Sequence, residues 1–353
     1  MELKPIKYKK AYETIIANQI IVWLWSNIYK ECFSILDSQT IYNSEDDIRG
    51  AIEQGLIYYQ DGAFYSKTGR FSNKISFELE KLGAKYSSYR KAYLIDKAKI
   101  PTNLLWAVDT MRAQTAQKVA VLQAFLTNQA SALKTEEKKL VFDTAVEAIM
   151  QDLQERVYKN ANANKIELIT PKLTEFRKSE IARRYTENLE FWIKGWYSDH
   201  IVAMREVVGK MAEDGKSLKT IGEYLHKEFG VDERHAKFLA RNESAIATTS
   251  YLAAKYEEEG IEYFRWIVNL DNRERPWHRT LGTVGPDGKG NIYRFDDPPI
   301  INEKTGQKGL PGYDYNCRCT LAPIIDKDFF ERRRKLYKAN NSLIGKVKKF
   351  FNV

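Results

Sequence analysis

The chain has 353 residues, more than a single hydrophobic core usually serves, so two or three domains are expected. Its 43% apolar and 29% charged residues describe a globular protein, and a formal charge of +9 makes a polyanion such as DNA, or an acidic protein surface, a reasonable partner. Three cysteines exclude a disulfide framework, and the lack of any apolar run of about 18 residues excludes a helical membrane span. The start, with five charged residues in ten and no apolar core, does not read as a signal peptide, so a reducing compartment or the inside of a particle is expected.

Residues 1–100 read as an N-terminal helix followed by a small α+β unit. Ile16, Ile20, Leu24, Ile28, Cys32 and Ile35 recur at three- and four-residue steps, which predicts an amphipathic helix over 11–36, with Trp23 and Trp25 as packing residues. Asn43, Ser44 and the acidic 45–47 stretch can cap a short helix reaching about Gln54. Ile57-Tyr58-Tyr59 and Ala63-Phe64-Tyr65 flank Gln60-Asp61-Gly62, and an Asp-Gly pair between β-forming runs predicts a hairpin. A helix over 72–82 should end at Gly83, which accepts a left-handed cap.

Residues 101–215 read as a long helical region. From Thr102 to Lys159 there is no Gly or Pro, and the Asn-Ala-Asn-Ala-Asn run at 160–164 marks a turn before a second helical stretch, 171–210, that closes an antiparallel pair. Tyr185, Phe191, Trp192, Trp196 and Tyr197 read as core. The last domain, 216–325, opens on two helices, 217–229 and 232–256, with Gly230 as the stop between them. Phe264, Trp266, Val268 and Leu270 alternate with other residues in strand period up to Asp271, and long Gly- and Pro-rich loops follow. The fold class is therefore α+β, with long helices in the middle, a small N-terminal α/β hairpin unit and a C-terminal mixed α+β domain.

Long ordered loops need pins. Asp271, His278, Cys317 and Cys319 together offer four donors of the kind Zn²⁺ takes tetrahedrally, and an ion shared by two loops adds folding free energy. Cys-x-Cys with one distant histidine is less diagnostic than paired knuckles, so two buried thiols beside a hydrogen-bonded histidine stand as the alternative. A disulfide across one intervening residue is disfavoured by strain.

The order Arg241-Asn-Glu243-Ser, Tyr263-Phe-Arg-Trp266, Asp271-x-Arg273-x-Arg275-Pro-x-His278 and Asn316-Cys317-Arg318-Cys319 resembles the Mu F-like minor head, or head-morphogenesis, proteins of tailed bacteriophages over residues 204–325. The crowding of two glycines in Leu281-Gly282-Thr-Val-Gly285 departs from the family's usual turn. The resemblance implies a virion component made in the host cytoplasm and lying inside the capsid at the portal vertex. It further implies contact with the portal protein, and with major capsid or scaffolding protein, and a part in assembly or in genome packaging and delivery. The family is also related in fold to ADP-ribosyltransferases, yet no Arg, Ser and Glu triad maps onto these residues.

Within the motif, Trp266 should be buried, Asp271 should pair with Arg273 or Arg275 or accept loop amides, and Arg318 should fork onto a carboxylate. Arg241 and Glu243 could join that network. Within the basic tail, 326–353, residues 331–353 hold Arg332, Arg333, Arg334, Lys335, Lys338, Lys346, Lys348 and Lys349 against the single acid Glu331, a net +7 that suits non-specific phosphate contact with packaged DNA or an acidic partner. The competing class is an encapsidated effector enzyme, ADP-ribosyltransferase-like or nuclease-like, using His278, Glu243 or Asp271 as an acid-base group. General catalytic motifs, such as a phosphate-cradling Gly-x-x-x-x-Gly-Lys loop or a Gly-x-Ser-x-Gly elbow, do not occur.

Overall fold

The computed structural model describes residues 1–37, 47–53, 55–135, 143–170, 172–214, 216, 218–269, 275–282 and 291–350. Asn43, Ser44, Ser217, Asp271, Arg273 and the side chains of Lys346, Lys348 and Lys349 lie outside this description. The chain divides into two units, neither of them one consecutive stretch: Val22–Lys139 with Trp192–Asp232, and Met1–Ile21 with Leu140–Phe191 and Glu233–Val353.

In chain order, the predicted first helix is α1 (Lys10–Leu24), one π turn (Trp25–Tyr29) and α2 (Lys30–Asp37), then α3 (Ile48–Glu53). The hairpin is β1 (Ile57–Gln60) and β2 (Ala63–Ser66), followed by α4 (Asn73–Lys81), β3 (Lys85–Ser87) and β4 (Ala92–Leu94). The long helices are α5 (Thr102–Lys134), α6 (Asp143–Ala163), α7 (Glu175–Trp192), a second π turn (Ile193–Tyr197), α8 (Ser198–Glu213) and α9 (Leu218–Glu258). The remainder is β5 (Tyr263–Ile267), α10 (Pro276–Leu281), β6 (Ile292–Arg294), β7 (Ile300–Asn302), β8 (Gln307–Lys308), β9 (Thr320–Ile324) and α11 (Phe329–Phe350).

In the first unit, Asp61 (φ 50°) and Gly62 (φ 76°) turn the hairpin with both central residues left-handed, the geometry that matches strand twist. The antiparallel sheet runs β1-β2-β4-β3 and packs Tyr59, Phe64 and Tyr93 with Ile52, Leu79, Leu104 and Val108 of the adjoining helices. Ser72 Oγ accepts from Ile75 N to cap α4, and Gly83 (φ 84°) follows its end. The expected antiparallel pair is α5 with α8, since Lys134 meets Asp199 while Thr127 and Gln123 meet Arg205 further along.

The two helices expected on either side of Gly230 are one. Helix α9 runs unbroken for 41 residues, because Gly230 keeps an ordinary helical φ and Asp232 does not cap anything: its buried carboxylate accepts from Tyr29 Oη. The aromatic run at 185–197 is not a single core cluster either. Tyr185 is buried in one unit and Tyr197 in the other, while Phe191 stands 73% exposed.

In the second unit, β5 pairs antiparallel with β6 on one side and β9 on the other, with Trp266 opposite Leu321. Residues 1–3 extend this sheet along β9: Leu3 N donates to Pro323 O (3.0 Å), Ile325 N to Met1 O (2.7 Å), and Arg265 Nε reaches Glu2 (3.0 Å). The strand stops at Ile267, short of Asp271, and the stretch read as loop after it contains the helix α10, begun by Pro276 at its first turn, where the missing N–H is not needed. The basic end is likewise helical, as α11, anchored by fully buried Phe329.

Candidate functional site

The second unit brings the C-terminal motif together. Pro276 starts α10 and sets His278 facing inward at 3% exposure, with the Trp266 ring edge-on to it at 5.9 Å between centroids. Asn316 turns the chain with φ 55°, a left-handed conformation that asparagine tolerates, just before Cys317. Cys317 and Cys319 therefore sit on this turn ahead of β9, not along a strand.

His278 Nδ1 lies 3.4 Å from Cys317 Sγ and 3.8 Å from Cys319 Sγ. Its other nitrogen, Nε2, is 3.1 Å from Asp314 Oδ2, and a carboxylate there requires Nε2 to carry a proton, so that in the neutral ring the Nδ1 lone pair is turned to the sulfurs. Arg275 donates to the same Asp314 oxygen, Oδ2, and to Tyr315 O, while Asp314 Oδ1 accepts from Tyr315 N (2.9 Å). The partner of both Arg275 and His278 is thus Asp314, a residue the sequence reading passed over because nothing in its spacing connects it to the motif. The placement of Asp271 and Arg273, expected in this role, falls outside the described residues.

Two backbone amides, of Gly312 and Cys319, donate to Cys317 Sγ at 3.4 Å each. Gly312 is needed there: at φ 94° a side chain is strained, and an added Cβ would come 3.2 Å from Thr249 Oγ1 and 3.3 Å from Ala245 O. Without a metal, hydrogen bonding from the Cys319 thiol and from His278 pulls the Cys317 thiol down, and the same sharing with burial pushes Cys319 up. Burial would lower His278, but Cys317 and Asp314 outweigh it and its pKa is raised. A cavity of about 90 Å³ opens beside the three groups, lined also by Asn269, Arg275, Asn316 and Arg318.

The rest of the motif is structural wiring. Asn242 Oδ1 accepts from Asn316 N (2.9 Å) while its amide donates to Glu243 Oε1 (3.0 Å), and Asn188 donates to Glu243 Oε2 (3.3 Å). Glu243 is thus held by two asparagines, and burial pushes its carboxyl up to about 7 despite their donation. Among the described residues, Arg241 pairs with Glu13 at 3.5 Å. Trp266 is buried at 1% exposure, and its indole bears on the Cys319 sulfur. Arg318 lies with Arg241 and Glu13 around Tyr8.

In the basic segment, Arg332 turns inward to Asp326 (2.8 Å), Glu262 (3.2 Å) and Gly260 O (3.2 Å), Arg333 lies over the Phe329 ring and Lys335 pairs with Glu331. Arg334 and Lys338 are exposed.

The first unit holds a group that sequence reading missed. Tyr29 from one π turn, Tyr197 from the other, His200 from α8 and Asp232 from α9 converge, with His200 Nε2 3.2 Å from Asp232 Oδ1 and 3.6 Å from Glu228. Burial pushes the Asp232 carboxyl up to about 7 despite donation from Tyr29, and pushes His200 down. Among the described residues no helix is long and apolar enough to cross a membrane.

Residues 203–322 match the family model described as Phage Mu protein F like protein. An uncharacterized protein of Haemophilus influenzae is 26% identical over 136 residues, 38% of this chain, and the chain spans only about 28% of that relative's length. No solved structure matches the chain. The match covers α9, the three-stranded sheet up to Ala322, α10 and the Cys-Arg-Cys turn, and it is over this region that the chain is similar to the Phage Mu protein F like proteins.

Proposed function

We propose that this protein is a minor head protein of a tailed phage, carried in few copies inside the capsid at the portal vertex, where it aids head assembly and genome packaging or delivery. The observation that supports this reading best is the family match over 203–322, which takes in β5, α10 and the turn before β9, where Asp314, Asn242 and Arg275 tie the described residues together. Such a region keeps one shape through assembly and is suited to docking on portal, major capsid or scaffolding protein. The exposed cations of α11, Arg334 and Lys338 among them, are placed for phosphate contacts with packaged DNA, which carry no sequence information. The effector-enzyme alternative gains little from the site, because Glu243 is 1% exposed and both its oxygens are engaged by asparagines.

Quantitative mass spectrometry of purified proheads and virions, with a pull-down on portal protein, tests the proposal. Finding the chain at fewer copies than the major capsid protein and bound to portal supports it. Absence from both particles overturns it.

A further inference from the structure

We propose that this unit binds one Zn²⁺ through His278 Nδ1, Cys317 Sγ and Cys319 Sγ, with Asp314 as the residue that orients the histidine. The donor atoms lie within 4.8 Å of one another. Tetrahedral zinc with Zn–N of about 2.05 Å and Zn–S of about 2.3 Å requires nitrogen and sulfur donors about 3.6 Å apart. The two N···S distances, 3.4 and 3.8 Å, straddle that value.

The surroundings have the form a thiolate site requires. Asp314 on Nε2 fixes the tautomer with its lone pair at Nδ1, the carboxylate–histidine arrangement found behind metal-bound imidazoles. Amides of Gly312 and Cys319 donate to Cys317 Sγ, which suits an anionic sulfur. Trp266 walls the site on one side, and a cavity of about 90 Å³ adjoins the three donors. Two buried thiols with no bonding requirement would not need a charged carboxylate held by Arg275 behind their histidine. The ion would lock α10 to the turn before β9, two pieces of chain nearly 40 residues apart with no other covalent tie.

The inference does not rest on the proposed role in the head, and its test uses the purified full-length chain alone. After expression with zinc and desalting without chelator, elemental analysis is expected to give one zinc per chain. Replacement by Co²⁺ should produce intense tetrahedral ligand-field bands with thiolate-to-cobalt charge transfer, and X-ray absorption at the zinc edge should show two sulfur neighbours. Cys317→Ser and Cys319→Ser should each lose the metal. Because those variants can fail to fold, Asp314→Asn is the second arm, expected to stay folded by circular dichroism and to weaken zinc binding roughly 10–100-fold in a chelator competition. Substoichiometric zinc in the folded wild-type chain, a cobalt spectrum without charge transfer, or an unchanged affinity for Asp314→Asn would overturn the assignment.

Discussion

Asp232→Asn offers a direct reading of how burial governs a carboxyl in this fold. Asp232 is 1% exposed on α9 and accepts from Tyr29, with Tyr197, His200 and Glu228 as the other polar groups facing it. Its carboxyl titrates near 7 in the folded chain and near 3.8 when free. The unfolded chain therefore releases this proton at lower pH than the folded one. The stability contribution is complete below about 4, declines as pH rises to about 7, and is absent above. Moving the group across that interval corresponds to roughly 4 kcal/mol at 1.36 kcal/mol per pH unit. Asparagine preserves the acceptor for Tyr29 and cannot ionise, so the variant should match wild type only below about pH 4, exceed it by roughly 1.6 kcal/mol at pH 5 and by roughly 4 kcal/mol at pH 8. His200, lowered by its own burial, acts oppositely below its ordinary 6.5, so the comparison is read mainly from pH 7 upward. Urea denaturation followed by tryptophan fluorescence at pH 5, 6, 7 and 8 measures that difference. A gap that stays flat with pH, or closes as pH rises, would refute the argument.

In the other unit, Lys255 and Glu259 are 1% and 3% exposed, and the ammonium donates to Glu259 (2.7 Å), Thr170 Oγ1 (2.8 Å) and Thr170 O. Lys255→Met leaves the buried Glu259 carboxylate without its countercharge, held then by Ile169 N, Thr170 N and Thr170 Oγ1, and should cost about 3–5 kcal/mol, measurable by chemical denaturation; a loss under about 1 kcal/mol would mean that solvent reaches the pair. Gly282→Ala places a methyl 2.6 Å from Val268 Cγ1 and 3.2 Å from Trp266, so a loss of about 1–3 kcal/mol is expected in thermal melts, and no loss would show that the Val268 side chain moves aside freely. For α11, deletion beyond Asp328 would remove the buried Phe329, so the triple variant Arg334→Gln, Lys335→Gln, Lys338→Gln is the cleaner probe. It should reduce the slope of log affinity for DNA against log salt by about 2 to 3, and an unchanged slope excludes these three from phosphate contact.

Where local chemistry decides conformation, the amino-acid sequence determined the outcome unaided. Asp61-Gly62 can form the tight hairpin turn at little steric cost, Ser72 and Gly83 bracket α4, and the Gly-free run after Pro101 becomes a 33-residue helix, each through backbone preferences acting within a few residues. The pairing of His278 with the two cysteines was also readable, since few residue types bind metals at all and these three stand out in a chain with four histidines and three cysteines. Tertiary structure alone decided the rest. Gly230 stays helical because its neighbours on α9 are packed along the whole helix, overriding a weak local stop worth about 1 kcal/mol. Asp314 serves His278 and residues 1–3 edge a sheet formed some 320 residues later, and such contacts follow from where the chain returns in space, for which sequence spacing carries no rule.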